Sequence, residues 1–206
     1  MSASYISLEK IPLLRNSLNE TFHSGLTKPI EWRQQQLLQL ARMLQENHNR
    51  FAEAIFADLG RGTVETYSAE IKPVIDRALI CYNKLPLWTQ TEWKPTIPGY
   101  SDEMFESWMP RVYHEPKGTV LIISPWNFPM ILSLQPLLGA ISSGCCALVK
   151  VSEIAPVYAS LLAELLPKYL DDRAFKIALG GVEEITAILK EKWDHSESCL
   201  IVFVFT

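Results

Sequence analysis

The chain has 206 residues, 48% of them hydrophobic and 20% charged, so it is long and apolar enough to bury a full core, and disorder is excluded as its main state. Nineteen Lys and Arg against 23 Asp and Glu leave a net charge of −4, and with no basic run this excludes a broad nucleic-acid surface. Four cysteines, two of them adjacent (Cys145, Cys146), make no disulfide framework and point to a reduced, cytoplasmic setting.

Residues 1–88 read as helices. Glu9, Lys10 and Arg15 interrupt the apolar pattern near the start, so no export signal is expected. Ile11, Leu14, Leu18 and Phe22 recur at helical spacing up to Gly25. Pro29 suits the first turn of a second helix, whose face runs through Leu37, Leu40, Ala41 and Leu44 and continues with Phe51, Ile55 and Leu59. Gly60 and Gly62 bracket a turn. A third pattern, Tyr67, Ile71, Val74, Ala78, Tyr82 and Leu85, is expected to stop at Pro86. Residues 89–116 are rich in Trp, Pro and polar side chains and form an excursion too aromatic for a free linker. Within it, 108–114 reads as an extended strand with a partner near Thr96.

From Gly118 the rhythm changes. Apolar runs at 119–123, 145–149, 174–179 and 200–205 alternate with helical patterns at 130–141, 156–169 and 182–189. Strand starts at 119, 145, 174 and 199 lie 26, 29 and 25 residues apart, the room a parallel crossover needs for its helix. Runs apolar on both faces indicate a sheet covered on both sides. The expected class is α/β, a Rossmann-like parallel sheet over residues 117–206 preceded by the helical region. Residues 118–149 carry no charge, but Pro125, Asn127, Pro129, Gln135 and Pro136 interrupt them, so they read as buried core and not as a membrane segment.

Ligands of such sheets bind beyond the carboxyl ends of the strands. After the first strand comes Ser124-Pro125-Trp126-Asn127-Phe128-Pro129. The Asn127 amide offers two N–H donors suited to a developing oxyanion; read alone, Asn127 is better taken as a cap for a helix opening at Pro129. The second strand ends in Lys150-Val151-Ser152-Glu153. Lys150 leaves the strand where a ligand would sit, and the Glu153 carboxylate can accept from two ribose hydroxyls; read alone, Lys150 snorkels, Ser152 is a helix N-cap and Glu153 complements a helix dipole. The third ends in Gly180-Gly181, which permits close approach to a phosphate and is also a routine turn. No G-x-G-x-x-G fingerprint occurs. Cys145 and Cys146 read as inert core thiols; nothing basic flanks Cys81 or Cys199, the four histidines are scattered, and no metal site is expected.

The combination carries a resemblance. Residues 118–129 resemble the segment around the conserved Asn of aldehyde dehydrogenases, and Gly144 through Glu153 resembles that family's next strand with its Lys-x-Ser-Glu turn. Gly180-Gly181-Val182-Glu183-Glu184, Pro29-Ile30-Glu31-Trp32-Arg33 and Asp58-Leu59-Gly60 are similar to its fatty-aldehyde, or class 3, branch. The resemblance implies oxidation of a medium- or long-chain aldehyde to a carboxylic acid, with NAD, or NADP, as cofactor. It gives Asn127 the oxyanion contact, Ser124, Pro125 and Trp126 the cofactor channel, Lys150 and Glu153 the adenosine ribose, and Gly181 the adenine end. Residues 89–116 would be an oligomerisation arm of a homodimer. The family's general-base Glu and nucleophilic Cys have no counterpart in these motifs, so a truncated fold, inactive by itself, is expected; the alternative is a cofactor-binding or subunit-pairing module without catalysis.

Overall fold

The computed structural model describes residues 4–93 and 108–198. The apolar spacing of the first part produces helices. Helix α1 (Lys10–His23) buries Ile11 and Leu18. Helix α2 (Ile30–Leu59) carries the expected stripe, including Leu37, Leu40, Leu44, Phe51 and Ile55. It kinks at Asn47, whose amide donates to the Met43 carbonyl at 2.9 Å and to the Tyr169 hydroxyl at 3.0 Å. A short α3 (Thr63–Thr66), a π-helical turn (Tyr67–Ile71) and α4 (Lys72–Trp88) follow.

Pro86 does not stop α4, which runs on to Trp88. A proline inside a helix leaves the carbonyl four residues earlier without its donor. Here that carbonyl belongs to Tyr82, and the Gln34 side chain of α2 donates to it at 3.0 Å. A contact between helices therefore offsets what the local rule counts as a break.

Strands β1 (Glu92–Trp93) and β2 (Arg111–Val112) form an exposed antiparallel ribbon. The expected pairing near Thr96 lies outside the described residues, as do Cys199 and the apolar run at 200–205.

The main sheet has β3 (Thr119–Ile123), β4 (Cys146–Lys150), β5 (Phe175–Ala178) and β6 (His195–Ser198), all parallel, in the order β5-β4-β3-β6. Helices α5 (Pro129–Ser143), α6 (Pro156–Tyr169) and α7 (Val182–Lys190) make the crossovers. Every residue of β4 is buried, and alternate side chains face opposite ways, so both faces of that strand are covered. One core cluster joins the helical region to the sheet, running from Leu37 and Phe51 to Leu148 and Phe175. The sheet is the Rossmann-like one expected from the crossovers.

The fourth strand differs from expectation. The described strand starts at His195, not near 199, and all its residues are exposed and polar or charged. Hydrogen bonding to β3, not apolar burial, sets its place: Val120 pairs with His195 and Ile123 with Ser198. Just before it, the Asp194 carboxylate accepts the Thr119 amide at 2.8 Å and the Thr119 hydroxyl at 2.9 Å. Gly118, at φ 136°, leaves the space that this carboxylate occupies.

Candidate functional site

After β3 and β4 the chain runs one way across the sheet, and β6 then returns to the far side of β3. That reversal makes a switch point beside the carboxyl end of β3, where open α/β sheets bind ligands. The loop from Ser124 to Phe128 leaves from this end. Ser124 is 3% exposed, and its amide donates to the Lys150 carbonyl at 2.9 Å, tying the first motif to the second. Pro125 is half-buried, whereas Trp126 and Asn127 are exposed.

Lys150 ends β4, level with Ile123 of β3 and Ala178 of β5. It is buried, and its ammonium donates to Glu153 Oε2 at 2.7 Å. Burial pushes the Glu153 carboxyl up, but the hydrogen bond and charge of Lys150 outweigh this and hold it below its ordinary value. The Glu153 carboxylate remains partly exposed, while the Lys150 side chain is almost wholly buried.

The helix starts differ from the simple capping readings. Asn127 does not cap α5: the N-cap position is Phe128, without a side-chain cap bond. Glu70, from the π-helical turn, takes that role; its Oε2 accepts the amides of Met130 at 2.8 Å and Ile131 at 3.4 Å. Ser152 does not cap α6 either; its hydroxyl takes the Ile154 amide, and Asp58 at the end of α2 accepts the amides of Val157 and Tyr158 at 3.1 and 2.8 Å. At α7 the Gly181 amide donates to Glu184 Oε2 at 2.7 Å. Space is tight at Gly180, where an added Cβ would run into the Glu184 side chain, and open at Gly181, where the nearest atom would lie 3.8 Å away.

Glu70 is fully buried and pairs with Arg61, whose other guanidinium nitrogen donates to the Asn127 carbonyl at 2.7 Å. Burial pushes the Glu70 carboxyl up; the amides and Arg61 oppose this without cancelling it, so the group titrates above its ordinary value. Sequence reasoning missed both residues. A signal for Glu70 was present, because it falls on the apolar stripe of Tyr67, Ile71 and Val74, where a charge requires a partner. Arg33 carried the same signal beside Leu37; it is buried and donates to the carbonyls of Thr27, Lys28 and Ser142. Arg61 offered none.

Cys81, Cys145 and Cys146 are buried free thiols. Burial first, and Cys145 second, push the Cys146 thiol up to about 12, so it is no nucleophile at neutral pH. A cavity of about 990 Å³ is lined by Arg33, Arg77, Cys81, Cys145 and His195 among others, and neither Lys150 nor Asn127 lines it. Among the described residues no helix is long and apolar enough to cross a membrane, and no three metal-ligating side chains cluster.

The family model described as "Aldehyde dehydrogenase family" matches residues 12–203. The chain is 40% identical over 192 residues to Aldehyde dehydrogenase family 3 member I1, chloroplastic, of Arabidopsis thaliana, covering 93% of this chain and 34% of that protein. It is 35% identical over 189 residues to Aldehyde dehydrogenase, dimeric NADP-preferring, of Canis lupus familiaris, covering 91% and 40% respectively. A solved structure of Staphylococcus aureus AldH in a substrate-bound state superposes with a TM-score of 0.83 at 30% identity, over 90% of this chain and 40% of that one. The chain thus spans between a third and two fifths of the length of these relatives. Matched across its sheet, its motifs and most of its helical region, the chain belongs to the aldehyde dehydrogenase family.

Proposed function

We propose that this chain forms the cofactor cradle and the oxyanion contact of an enzyme that oxidises aldehydes to carboxylic acids. The observation that carries the reading is the Lys150–Glu153 pair, a buried ammonium and a partly exposed carboxylate joined at 2.7 Å beyond the carboxyl end of β4. Such a pair donates to one ribose hydroxyl and accepts from the next. The donor set therefore fits the ribose end of a dinucleotide. The N-termini of α5, α6 and α7 do not fit the diphosphate, because Glu70, Asp58 and Glu184 already occupy them.

Bound nicotinamide would accept the hydride. Asn127 would donate from its amide to the aldehyde oxygen as negative charge develops there. Ser124, Pro125 and Trp126 would border the cofactor channel, and Gly181 the adenine end. Glu153 favours NAD over NADP, since its carboxylate would repel a 2′-phosphate. The Canis lupus familiaris relative is named NADP-preferring. The exposed β1–β2 ribbon, with Trp93 and Trp108, suits an oligomerisation arm over residues 89–116, pairing two copies, while residues 1–88 pack on a cofactor domain over 117–206. The three described cysteines are all buried, which supports the reading that these 206 residues alone do not turn over aldehyde.

Titration of the purified chain with NAD, followed by tryptophan fluorescence with Trp126→Phe as the reporter control, tests the cradle. A saturable quench is expected, lost in Lys150→Ala and in Glu153→Ala; a folded wild type that does not respond overturns the reading. Long-chain aldehyde plus NAD should yield no NADH, and turnover would refute the inactivity of the chain alone.

A further inference from the structure

We propose that Glu70 and Arg61 are positioning residues for the Asn127 loop, a single ion pair from the helical region that clamps the loop at both ends. The proposal rests on the oxyanion reading of Asn127 for its catalytic meaning, but the clamp itself is read from geometry. Glu70 divides its two oxygens. One pairs with Arg61 Nη1, and the other accepts from the amides of Met130 and Ile131 at the start of α5. Arg61 divides its guanidinium likewise. Nη1 goes to Glu70, Nη2 donates to the Asn127 carbonyl at 2.7 Å, and the guanidinium carbon lies 4.3 Å from the centroid of the Phe128 ring.

Four residues of the segment 127–131 are thereby tied to one pair. The Glu70 side chain is wholly buried and that of Arg61 is 12% exposed, so water competes little for these bonds. The pair also explains why a fully buried carboxylate is kept in the π-helical turn: burying it without partners would be costly, and its partners are the loop. An exposed amide can point reliably at a ligand only if its backbone is held, and here the Asn127 carbonyl is the held atom.

The fork matters as much as the charge. Arginine reaches Glu70 and the Asn127 carbonyl from two nitrogens of one plane, whereas a lysine ammonium is a point charge. Arg61→Lys should keep the pairing with Glu70 and release Asn127. Arg61→Met should release Asn127 and remove the partner of Glu70.

The test is backbone 15N relaxation on the whole chain without ligand. Wild-type order parameters of residues 126–128 are expected near ~0.85, falling below ~0.6 in both Arg61 variants, with residues 137–141 of α5 unchanged. In Arg61→Lys the Met130 amide should keep its wild-type shift while the Asn127 side-chain amide resonances move, a separation that a general loss of stability would not produce. Glu70→Gln should loosen both ends. If Arg61→Met fails to fold, Arg61→Lys carries the same comparison. Wild-type order at 126–128 in Arg61→Lys, or a loss spread equally through α5, overturns the clamp. Because this readout needs no cofactor, it stands or falls separately from the NAD titration. A rigid loop without a quench sinks the cradle alone, and a quench with an Arg61-insensitive loop sinks the clamp alone.

Discussion

The carboxylate of Asp58 closes a helix that starts far along the chain: it accepts the amide of Tyr158, 100 residues on, at 2.8 Å. Glu70 does the same for Met130, and Glu184 binds the Gly181 amide within its own turn. Each of the three crossover helices thus begins on a carboxylate, which satisfies free amides and complements the helix dipole. Two of those carboxylates come from the helical region, so the N-terminal helices and the sheet stabilise one another.

Asp58→Ala should lower stability by about 1 to 2 kcal/mol, the worth of a side-chain cap, and Asp58→Asn should recover most of it. Urea denaturation followed by circular dichroism measures the difference. An unchanged midpoint in the Ala variant would remove the cap from the account.

The two glycines after β5 should separate. Gly180→Ala places a methyl inside the Glu184 side chain and should cost about 1 to 3 kcal/mol through overpacking. Gly181→Ala meets nothing closer than 3.8 Å and should cost less. Thermal melts of both variants decide it; the reverse order would contradict the packing.

Glu70 should give a pH dependence of unusual sign for a carboxylate. Its folded value is raised, so between the ordinary glutamate value and that raised one the native state holds more protons than the unfolded state. Wild-type stability relative to Glu70→Gln should therefore fall as pH rises through this window. Denaturation curves across a pH series test it, and a rising difference would show that the amides and Arg61 outweigh burial.

Asp194 should behave in the opposite sense. Burial pushes its carboxyl up, but hydrogen bonds from Thr119 and the charges of Arg15 and Lys192 prevail and lower it. Its contribution is present above the ordinary aspartate value and is lost as pH falls through the lower folded value. Asp194→Ala should destabilise the fold by about 1 kcal/mol at neutral pH and much less in acid. A difference that persists below that window would refute the assignment.

Local chemistry made much of the fold legible. The unbroken apolar runs around Leu121 and Leu148 announced strands covered on both faces, and the stripe from Leu37 to Ile55 announced α2, because one face of that helix is buried at its period. Lys150 stood out because it leaves an apolar strand where a ligand would sit; its bond to Glu153, three residues on, came from the structure. Where the local rules failed, a distant group had intervened. Pro86 sits inside α4 because Gln34 takes the carbonyl it frees, and Ser152 caps nothing because Asp58 reached the α6 amides. His195–Ser198 pairs as a strand with no apolar face to advertise it.

The sequence by itself determined a crossover sheet with its polar motifs at the strand ends, since periodicity and turn chemistry act between near neighbours. Only the tertiary structure decided which carboxylate meets which helix and what holds Asn127. Glu70 finds Met130 across 60 residues and Arg61 finds Asn127 across 66, and hydrogen bonds at that range are selected by how the helices pack, not by any pattern along the chain.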